Sequence, residues 1–273
     1  MRLSELGELG LLAELERLGL IVGVEHDAAQ LAGDLVATQD ALVEGVHFRL
    51  DWLTWRELGW RAAAVNLSDL AASGATAEAL LVTLVAPGAV SSEDVVDLYR
   101  GFADTGVPVV GGDTSQGPAL VVSVTALGRS ERVPGRAGAR PGDVLVVTGP
   151  LGAAGAAFRE RRYVAPPLRL EEGRQLARRA HALLDLSDGL GVDAAHLARR
   201  SGVRCVLELD RVPLAPAATI DDLAFGEDYE LLAAVADPGP FTVIGHVEQG
   251  AGVLALRDGE RVELPGWQHF QAG

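Results

Sequence analysis

Aspartates stand at the ends of several apolar segments in this chain. Asp27 follows residues 21–24, Asp40 ends a predicted strand, and Asp113 follows the run Val-Val-Gly-Gly at residues 109–112. Carboxylates at strand ends can point into a common crevice, where they would repel one another. Divalent cations relieve such repulsion, and carboxylate oxygens suit Mg²⁺. The pattern therefore indicates a candidate metal site.

Three more aspartates fit this pattern. Asp185 and Asp188 flank a Leu-Ser pair, and Asp69 follows Asn66 by three residues in a predicted helix, so these two share a helix face. Aspartate is rarely buried without a partner, which favours a functional role for Asp69. A strand-end aspartate is also a common turn or helix-cap residue, and spacing alone leaves this alternative open.

The composition excludes several other ways of binding phosphate. All 23 basic residues are arginine, so the chain lacks the lysine of a Walker A loop, of a protein kinase and of a pyridoxal phosphate enzyme. Its net charge of −15 repels nucleic acid and anionic lipid, and we predict neither a nucleic-acid nor a membrane partner. An acidic protein that binds polyphosphate needs a positive bridge, and divalent metal would provide it.

The N-terminal segment and the cysteine content bear on location. The first 19 residues include four glutamates, so they are predicted to form an amphipathic helix rather than a secretory signal. No apolar run approaches the roughly 20 residues that span a bilayer. Cys205 is the only cysteine, which excludes an intrachain disulfide and a thiolate metal cage. We therefore expect a cytoplasmic protein.

The order of predicted elements indicates an α/β protein of the α+β type. Helices are predicted over residues 54–73, with Thr54 as the N-cap, and from Ser91 or Ser92 to about Asp104. A stretch rich in glycine, arginine and proline at residues 129–143 is the candidate domain boundary. Further strands are predicted at residues 79–86, 107–110, 120–127, 144–148, 203–209, 230–235 and 241–247, and further helices at 170–182 and 193–200.

Two glycine segments and one histidine each have two interpretations. Backbone N–H groups of residues 111–112 and 149–152 could approach a phosphate, although neither segment matches GxGxxG. His47 could contact a ligand or pack on the surface. The other histidines form no metal-binding spacing such as HExxH, and the chain has no GxSxG nucleophile motif.

At these same residues the sequence resembles the thiamine-monophosphate kinase family, which belongs to the superfamily of aminoimidazole ribonucleotide synthetase and selenophosphate synthetase. The matching motifs follow one another in the family's order along nearly the whole chain. The stretch VEGVHF, the motif GEDYELL and the terminal GWxHF favour the thiamine-phosphate branch. The motifs are TQDALVEGVHF at 38–48, AVNLSDLA at 64–71, VVGGDT at 109–114, RPGDVLVVTG at 140–149, LSDGL at 186–190, GEDYELL at 226–232 and GWQHF at 266–270.

The resemblance implies an aminoimidazole ribonucleotide synthetase-like fold of two α/β domains, at residues 1–136 and 137–273. The N-terminal domain would pair strands across a homodimer. ATP and several Mg²⁺ ions would lie between this domain and the glycine-rich start of the second. The implied activity is in-line transfer of the ATP γ-phosphoryl group to thiamine monophosphate, which gives thiamine diphosphate and ADP.

Residue roles also follow from the resemblance, position by position. Asp40, Asp113 and Asp188 would be catalytic. An aromatic ring such as Trp267 suits stacking on a cationic heterocycle, and the implied contacts to thiamine monophosphate are His47, Glu227 and Trp267. The implied ATP contacts are Tyr99, Gly112, Asp113, Arg136 and Ser187. The implied metal positions are Asp27, Thr38, Gln39, Asp40, Asp69, Asp113, Asp185 and Asp188.

The chain departs from the family pattern at three places. His26 stands where the family has an acidic neighbour of Asp27, Gln39 replaces a hydroxyl residue, and residues 153–154 are alanines where the family has a nearby aspartate. These departures bear on the number and affinity of metal ions. Those at His26 and Gln39 leave open a non-catalytic regulator that binds nucleotide or thiamine phosphate. A ring-closing synthetase of the same superfamily is the alternative enzyme. A selenophosphate synthetase is a further alternative, but it usually needs a reactive cysteine near the N-terminus, and this chain has only Cys205.

Overall fold

The first half of the chain forms a five-stranded sheet with helices on one face. The computed structural model describes residues 2–22 and 26–266. The elements of this half are α1 (Leu3–Arg17), β1 (Ala29–Gln30), β2 (Leu35–Val43), α2 (Trp55–Ala72), β3 (Thr76–Ala86), α3 (Ser92–Asp104), β4 (Val109–Gln116) and β5 (Val121–Arg129). The strand order is β1-β2-β5-β3-β4, and neighbours are antiparallel except β3 and β4, which are parallel.

The first sheet buries one face and leaves the other open. Along β5, Val122, Val124 and Ala126 are buried, and the residues between them are partly exposed. A strand with one face on a core produces this alternation. At the edge of the sheet, β4 is exposed over seven of its eight residues. This face and the outer edge of β4 therefore lie open in the described part of the chain.

The second half forms a seven-stranded sheet. Its elements are β6 (Val144–Val147), α4 (Ala153–Arg159), α5 (Leu170–Ala177), β7 (Ala182–Asp185), α6 (Leu190–Ser201), β8 (Arg204–Glu208), β9 (Leu231–Val235), β10 (Thr242–Glu248), β11 (Gly252–Arg257), β12 (Glu260–Val262) and two short 3-10 helices, Leu209–Arg211 and Ile220–Ala224. The strand order is β12-β11-β8-β10-β6-β9-β7, with only β8 and β11 parallel. All residues of β7 and β9 are buried, as their unbroken apolar sequences indicate.

The helix α2 lies between the two sheets. A capping box starts it: the Thr54 hydroxyl accepts the N–H of Glu57 (3.3 Å), and the Glu57 carboxylate accepts the N–H of Thr54 (2.7 Å). Thirteen of its 18 residues are buried. The helix packs against β2, β3 and β5 on one side and against α5, β7 and β9 on the other. A helix buried on all sides is typical of the centre of a protein.

Most predicted elements are confirmed, with several corrections. The strand predicted to end at Asp40 continues to Val43, because residues 35–43 pair in register with β5. The helices α2 and α3 lie where the sequence predicts them, with Thr54 and Ser91 as N-caps. The short strand predicted at residues 107–110 is wrong in length, because β4 continues to Gln116 in register with β3. The helix predicted at residues 170–182 ends at Ala177. The strands β1, β11 and β12 and the helix α4 have no counterpart among the predicted elements.

The predicted mixed α/β fold is confirmed. One hydrophobic core lies among residues 28–126, and another lies among residues 139–255. The boundary between residues 136 and 137 stays a prediction. The predicted N-terminal helix is α1, which is interrupted at Gly7 (φ 70°) and buries none of the residues whose exposure is described. Among the described helices, none is both long and apolar enough to cross a membrane.

Candidate active site

A cavity of about 690 Å³ lies between the two halves of the molecule. Its walls come from β2 and the loop after it, from α2 and α4, and from loops that follow β5, β7 and the second 3-10 helix. Cavities of this size hold small-molecule ligands. The predicted site residues that line it are Asp27, Thr38, Gln39, Asp40, His47, Asp69, Arg136, Asp185, Ser187, Asp188 and Glu227.

Three carboxylates meet at this cavity. Asp27 precedes β1, Asp69 lies near the end of α2, and Asp185 ends β7. One carboxylate oxygen of each lies within 4.8 Å of the other two. Ionised carboxylates at this separation repel one another strongly when they are buried. We call these three residues the carboxylate cluster.

Two hydroxyl groups orient the carboxylate cluster. The Thr38 hydroxyl on β2 donates a hydrogen bond to Asp69 (2.5 Å). The Ser68 hydroxyl on α2 donates to Asp185 (2.6 Å), and Ser68 is buried. Ser68 and Asp69 are consecutive on α2. This helix therefore carries the Asp69 carboxylate itself and holds the Asp185 carboxylate through the hydrogen bond from Ser68. The cluster therefore depends on α2 lying between the two sheets.

Arg136 and Asn66 complete the surroundings of the carboxylate cluster. The Arg136 guanidinium donates to Asp27 (2.8 Å) and places a positive charge beside it. The side-chain oxygen of Asn66 accepts the backbone N–H of Asp40 (2.9 Å), which fastens β2 to α2 at the cavity. Asp40 thus lies next to the cluster, and its charge helps to raise the pKa of Asp69 on α2 and of Asp185 on β7.

Burial raises the pKa of every carboxyl in this group. Burial, and then the charges of Asp185, Asp40 and Asp27, hold the pKa of Asp69 well above its ordinary value. Burial, and then the charge of Asp27, raise the pKa of Asp185 to about 8. Burial also raises the pKa of Asp27, against the opposing charge of Arg136, and that of Asp40. With a pKa of about 8, Asp185 keeps its proton at neutral pH unless a cation takes the place of that proton.

The donor set fits a hard divalent cation. The cluster offers only oxygen atoms, from the carboxylates of Asp27, Asp69 and Asp185, with Asp40 and Thr38 beside them. Mg²⁺ takes oxygen ligands, whereas structural zinc sites use cysteine and histidine. A cation would also relieve the repulsion among these carboxylates when they are ionised.

The loop after β7 places Ser187 and Asp188 at the cavity. The carboxylate of Asp193, on α6, accepts the backbone N–H groups of Asp188 and Gly189, both at 3.1 Å. This contact fixes the loop against the start of α6, where backbone N–H groups would otherwise lack partners. Burial, and then the charge of Asp188, hold the pKa of Asp193 well above its ordinary value.

A buried arginine on α2 joins two predicted substrate contacts. The Arg61 guanidinium donates to the His47 carbonyl oxygen (2.9 Å) and forms an ion pair with Glu227. The ring nitrogen Nδ1 of His47 accepts the N–H of Val43 (3.0 Å). Glu227 adopts φ 58°, a left-handed conformation that is uncommon outside glycine. Arg61 therefore ties the loop after β2 to the loop that carries Glu227.

Three predicted site residues stand apart from this cavity. Asp113 and Gly112 lie in β4, three strands away from Asp40 on β2, or about 14 Å at the usual strand spacing. Tyr99 packs edge-on against Phe102, with ring centroids 5.4 Å apart, beside the first core. None of the three is among the described residues that line the cavity.

Two other predicted positions differ from a simple ligand role. Gln39 lines the cavity, but its side-chain amide donates to Ser123 Oγ and accepts from Thr125 Oγ1, both at 3.3 Å. These partners lie on β5, so the amide is engaged with the sheet rather than with the carboxylate cluster. Trp267 lies outside the described residues, and its predicted contact with substrate stays a prediction.

The glycine loop at residues 149–152 presents its amides to a carboxylate of the protein. Asp228 accepts the N–H of Gly152 (2.8 Å), and it is also hydrogen bonded by the N–H groups of Ala153 and Ala154. Burial nevertheless raises the pKa of Asp228 to about 7. These amides begin α4, where an anion is favoured. Asp228 therefore takes the place that a phosphate would occupy at the amides of residues 152–154.

Sequence reasoning assigned no role to three residues that shape the site. Ser68 lies within the motif AVNLSDLA, but nothing local shows that it reaches Asp185. The argument used for Asp69 could also have identified Arg61, because a charged residue in an apolar helix is rarely buried without a partner. Asp193 was the start of a predicted helix, and its contact with the neighbouring loop depends on how that helix begins.

Comparison with known families gives matches to both halves. The family described as AIR synthase related protein, N-terminal domain, matches residues 25–130, and the corresponding C-terminal domain matches residues 140–260. Thiamine-monophosphate kinase of Aquifex aeolicus is 34% identical over 99% of this chain and 100% of the relative. That of Mycobacterium tuberculosis is 35% identical over 98% of this chain and 93% of the relative.

A solved structure agrees with these matches. The structure of AaThiL complexed with AMPPCP and TMP is similar to this chain with a TM-score of 0.90 and 33% sequence identity, and the match covers 98% of this chain and 99% of that one. The two AIR synthase related domains together account for most of the sequence. The relatives match over nearly their full length, and the chain therefore belongs to the thiamine-monophosphate kinase family.

Proposed function

We propose that this enzyme transfers the γ-phosphoryl group of ATP to thiamine monophosphate, giving thiamine diphosphate and ADP. The observation that carries the proposal is the carboxylate cluster, whose three aspartates hold oxygens within 4.8 Å of one another at the cavity between the two halves. The similarity to thiamine-monophosphate kinases and to AaThiL complexed with AMPPCP and TMP supports the choice of both substrates.

The acceptor needs little activation by the protein. A phosphate monoester has a second pKa near 6, so it is largely ionised at neutral pH, and no strong general base is required. The obstacle is the repulsion between two phosphate groups. Arg136, which lines the cavity and pairs with Asp27, is placed to attract phosphate oxygens. The remaining task of the protein is to orient the two substrates in line.

We propose that Asp27, Asp69 and Asp185, with Asp40 beside them, hold Mg²⁺. Bound Mg²⁺ neutralises phosphate oxygens and stabilises the charge of the transferring group. The hydrogen bonds from Thr38 and Ser68 keep the carboxylates in position before substrates arrive. The number of ions stays open, because the Gln39 amide is engaged with β5.

A direct assay tests the proposed reaction. Purified protein incubated with ATP, thiamine monophosphate and Mg²⁺ is expected to form thiamine diphosphate and ADP in equal amounts, as a single in-line transfer requires. Unphosphorylated thiamine serves as the control acceptor and should give no diphosphate, and EDTA should stop the reaction. Tight binding of both substrates without product would contradict the proposal and favour a regulator.

We further propose that the chain acts as a homodimer formed through the open face of the first sheet and β4. Val110 on the edge strand β4 is 61% exposed, and Leu81 on the neighbouring strand β3 is 37% exposed. An exposed edge strand with apolar residues is suited to pairing with another chain. Asp113 and Gly112 stand about 14 Å from Asp40 within one chain. A second copy related by a two-fold axis would bring its own Asp113 to this cavity.

Mixing two inactive variants tests the shared site. Asp69→Asn and Asp113→Asn should each inactivate the homodimer. After subunit exchange, half of the dimers are mixed, and one of the two sites in each mixed dimer has both aspartates intact. Activity should therefore return to about a quarter of the wild-type value. Mixing Asp69→Asn with Asp40→Asn, which lies on the same chain's cavity wall, is the matched control and should restore nothing.

We propose a cytoplasmic location. The reaction consumes ATP, which the cytoplasm supplies. The one cysteine, Cys205, is buried in the second core, and burial raises the pKa of its thiol to about 12. Such a thiol stays protonated and reacts slowly, and a reducing compartment suits a free cysteine.

A further inference from the structure

Three aromatic side chains line the cavity without belonging to a hydrophobic core. Trp52 lies in the loop before α2, Phe158 near the end of α4, and Phe225 directly after the second 3-10 helix. The ring centroids lie 5.5 Å apart for Trp52 and Phe158 and 4.8 Å apart for Phe158 and Phe225. None of the three is a member of the core clusters formed by the described residues. We call them the aromatic wall.

Packing alone does not explain the aromatic wall. Phe158 is 52% exposed, although it follows Ala156 and Ala157, which are each 1% exposed. The helix α4 therefore buries its small residues and presents its large apolar residue to the cavity. An exposed large apolar side chain inside a concave site marks a surface that a ligand covers.

The aromatic wall attracts positive charge. The Arg49 guanidinium lies over the Trp52 ring, 5.5 Å from its centroid, while Arg49 also pairs with Asp51 (3.1 Å). Aromatic faces are electron-rich and bind cations, and flat heteroaromatic cations can also stack on them. The contact made by Arg49 shows that the ring environment accepts a planar cation.

The carboxylate cluster and the aromatic wall suit the two ends of thiamine monophosphate, the proposed acceptor. Thiamine monophosphate carries a phosphate at one end and, beyond it, a flat and positively charged thiazolium ring that a methylene group joins to an aminopyrimidine ring. The phosphate must approach the carboxylate cluster, where a metal ion would bridge the charges. The ring system then needs an apolar and electron-rich surface in the same cavity, and the aromatic wall is such a surface.

We infer that the aromatic wall binds the heteroaromatic cation of the acceptor and thereby determines which phosphate ester the enzyme phosphorylates. This inference rests on the proposed function, because it assigns one end of the proposed substrate. The wall is built from both halves of the chain, with Trp52 from the first and Phe158 and Phe225 from the second. Acceptor recognition therefore requires the same arrangement of the halves that assembles the carboxylate cluster.

Kinetics of Phe158→Leu and Trp52→Leu test the inference. Each variant keeps an apolar side chain and removes the aromatic face, so KM for thiamine monophosphate should rise by about 3- to 30-fold. KM for ATP and kcat at saturating acceptor should stay within about twofold, because the phosphate ends are held elsewhere. The matched control is Phe241→Leu, since Phe241 contacts Arg179 and does not line the cavity.

Binding of thiamine without phosphate gives a second readout that needs no turnover. Calorimetric titration with thiamine should show a Kd that weakens in both variants by a factor similar to the change in KM, and that stays unchanged in Phe241→Leu. Unchanged KM for the acceptor together with unchanged thiamine binding would overturn the inference. Absence of thiamine diphosphate from the wild-type protein would instead refute the proposed function, and thiamine binding would still decide the role of the wall.

Discussion

An Asp69→Asn variant should lose turnover by at least about a hundredfold and yet melt at a higher temperature than the wild-type protein in EDTA. The loss follows because Asp69 is central to the carboxylate cluster and faces Asp27 and Asp185 within 4.8 Å. The gain follows because the metal-free protein must either keep Asp69 protonated above its ordinary pKa or tolerate the repulsion. Asparagine has no such charge and still accepts the hydrogen bond from Thr38.

The measurement combines steady-state kinetics with thermal melting. A gain of 1 kcal/mol corresponds to roughly 2–4 °C in a chain of this size, which is readily resolved. Asp97→Asn is the matched control, because Asp97 is exposed and pairs only with Arg100 on the same helix among the described residues, so neither activity nor melting should change much. Near wild-type kcat, or a melting temperature below that of the wild-type protein, would refute the assigned role of Asp69.

Mg²⁺ should stabilise the protein more at pH 8 than at pH 5. In EDTA, we expect the melting temperature to fall as the pH rises from about 4 to about 8. The carboxyls of Asp27, Asp40, Asp69 and Asp185 have a higher pKa in the folded protein than in an unfolded chain, so the folded state binds more protons. Stability then decreases with rising pH, and the contribution of Asp185 is lost as the pH passes its pKa of about 8.

The metal ion reverses this dependence because it replaces the bound protons. Binding that requires deprotonation strengthens with pH and releases protons, and it stabilises the folded state according to the concentration of ligand relative to Kd. Melting curves at pH 5 and pH 8, with Mg²⁺ or with EDTA, measure the effect. The Asp69→Asn variant should show a smaller difference between the two pH values, whereas Asp97→Asn should behave like the wild-type protein. Equal stabilisation by Mg²⁺ at both pH values would contradict this account.

The sequence predicts much of this site because its chemistry follows local patterns. Asp185 ends β7 as its position after an apolar segment predicts, whereas Asp40, predicted to end a strand, lies inside β2, which continues to Val43. Asp69 was marked by its position in an apolar helix, and it lies at the cavity. The family motifs added residues such as Ser187 and Glu227, which the structure also places there. The position of a residue within one strand or helix is enough to predict it as a site residue when that element ends at the cavity or runs along it.

Other features depend on contacts between distant segments, and no local signal contains them. The separation of Asp113 from Asp40 follows from the order of four strands rather than from either sequence motif. The pairing of Arg61 with Glu227 joins residues 166 positions apart. The aromatic wall likewise requires that three loops or helix ends meet. Such features become visible only when the arrangement of the elements is known.

The burial of α2 limits how the enzyme can move during turnover. Because 13 of its 18 residues are buried between the two sheets, rotation of one half against the other would expose this helix to water. A large hinge motion is therefore disfavoured on physical grounds. Any opening of the cavity would then fall to segments on its rim, such as the irregular residues 162–164. Substrate exchange through such a rim segment would leave the carboxylate on α2 in place between catalytic cycles.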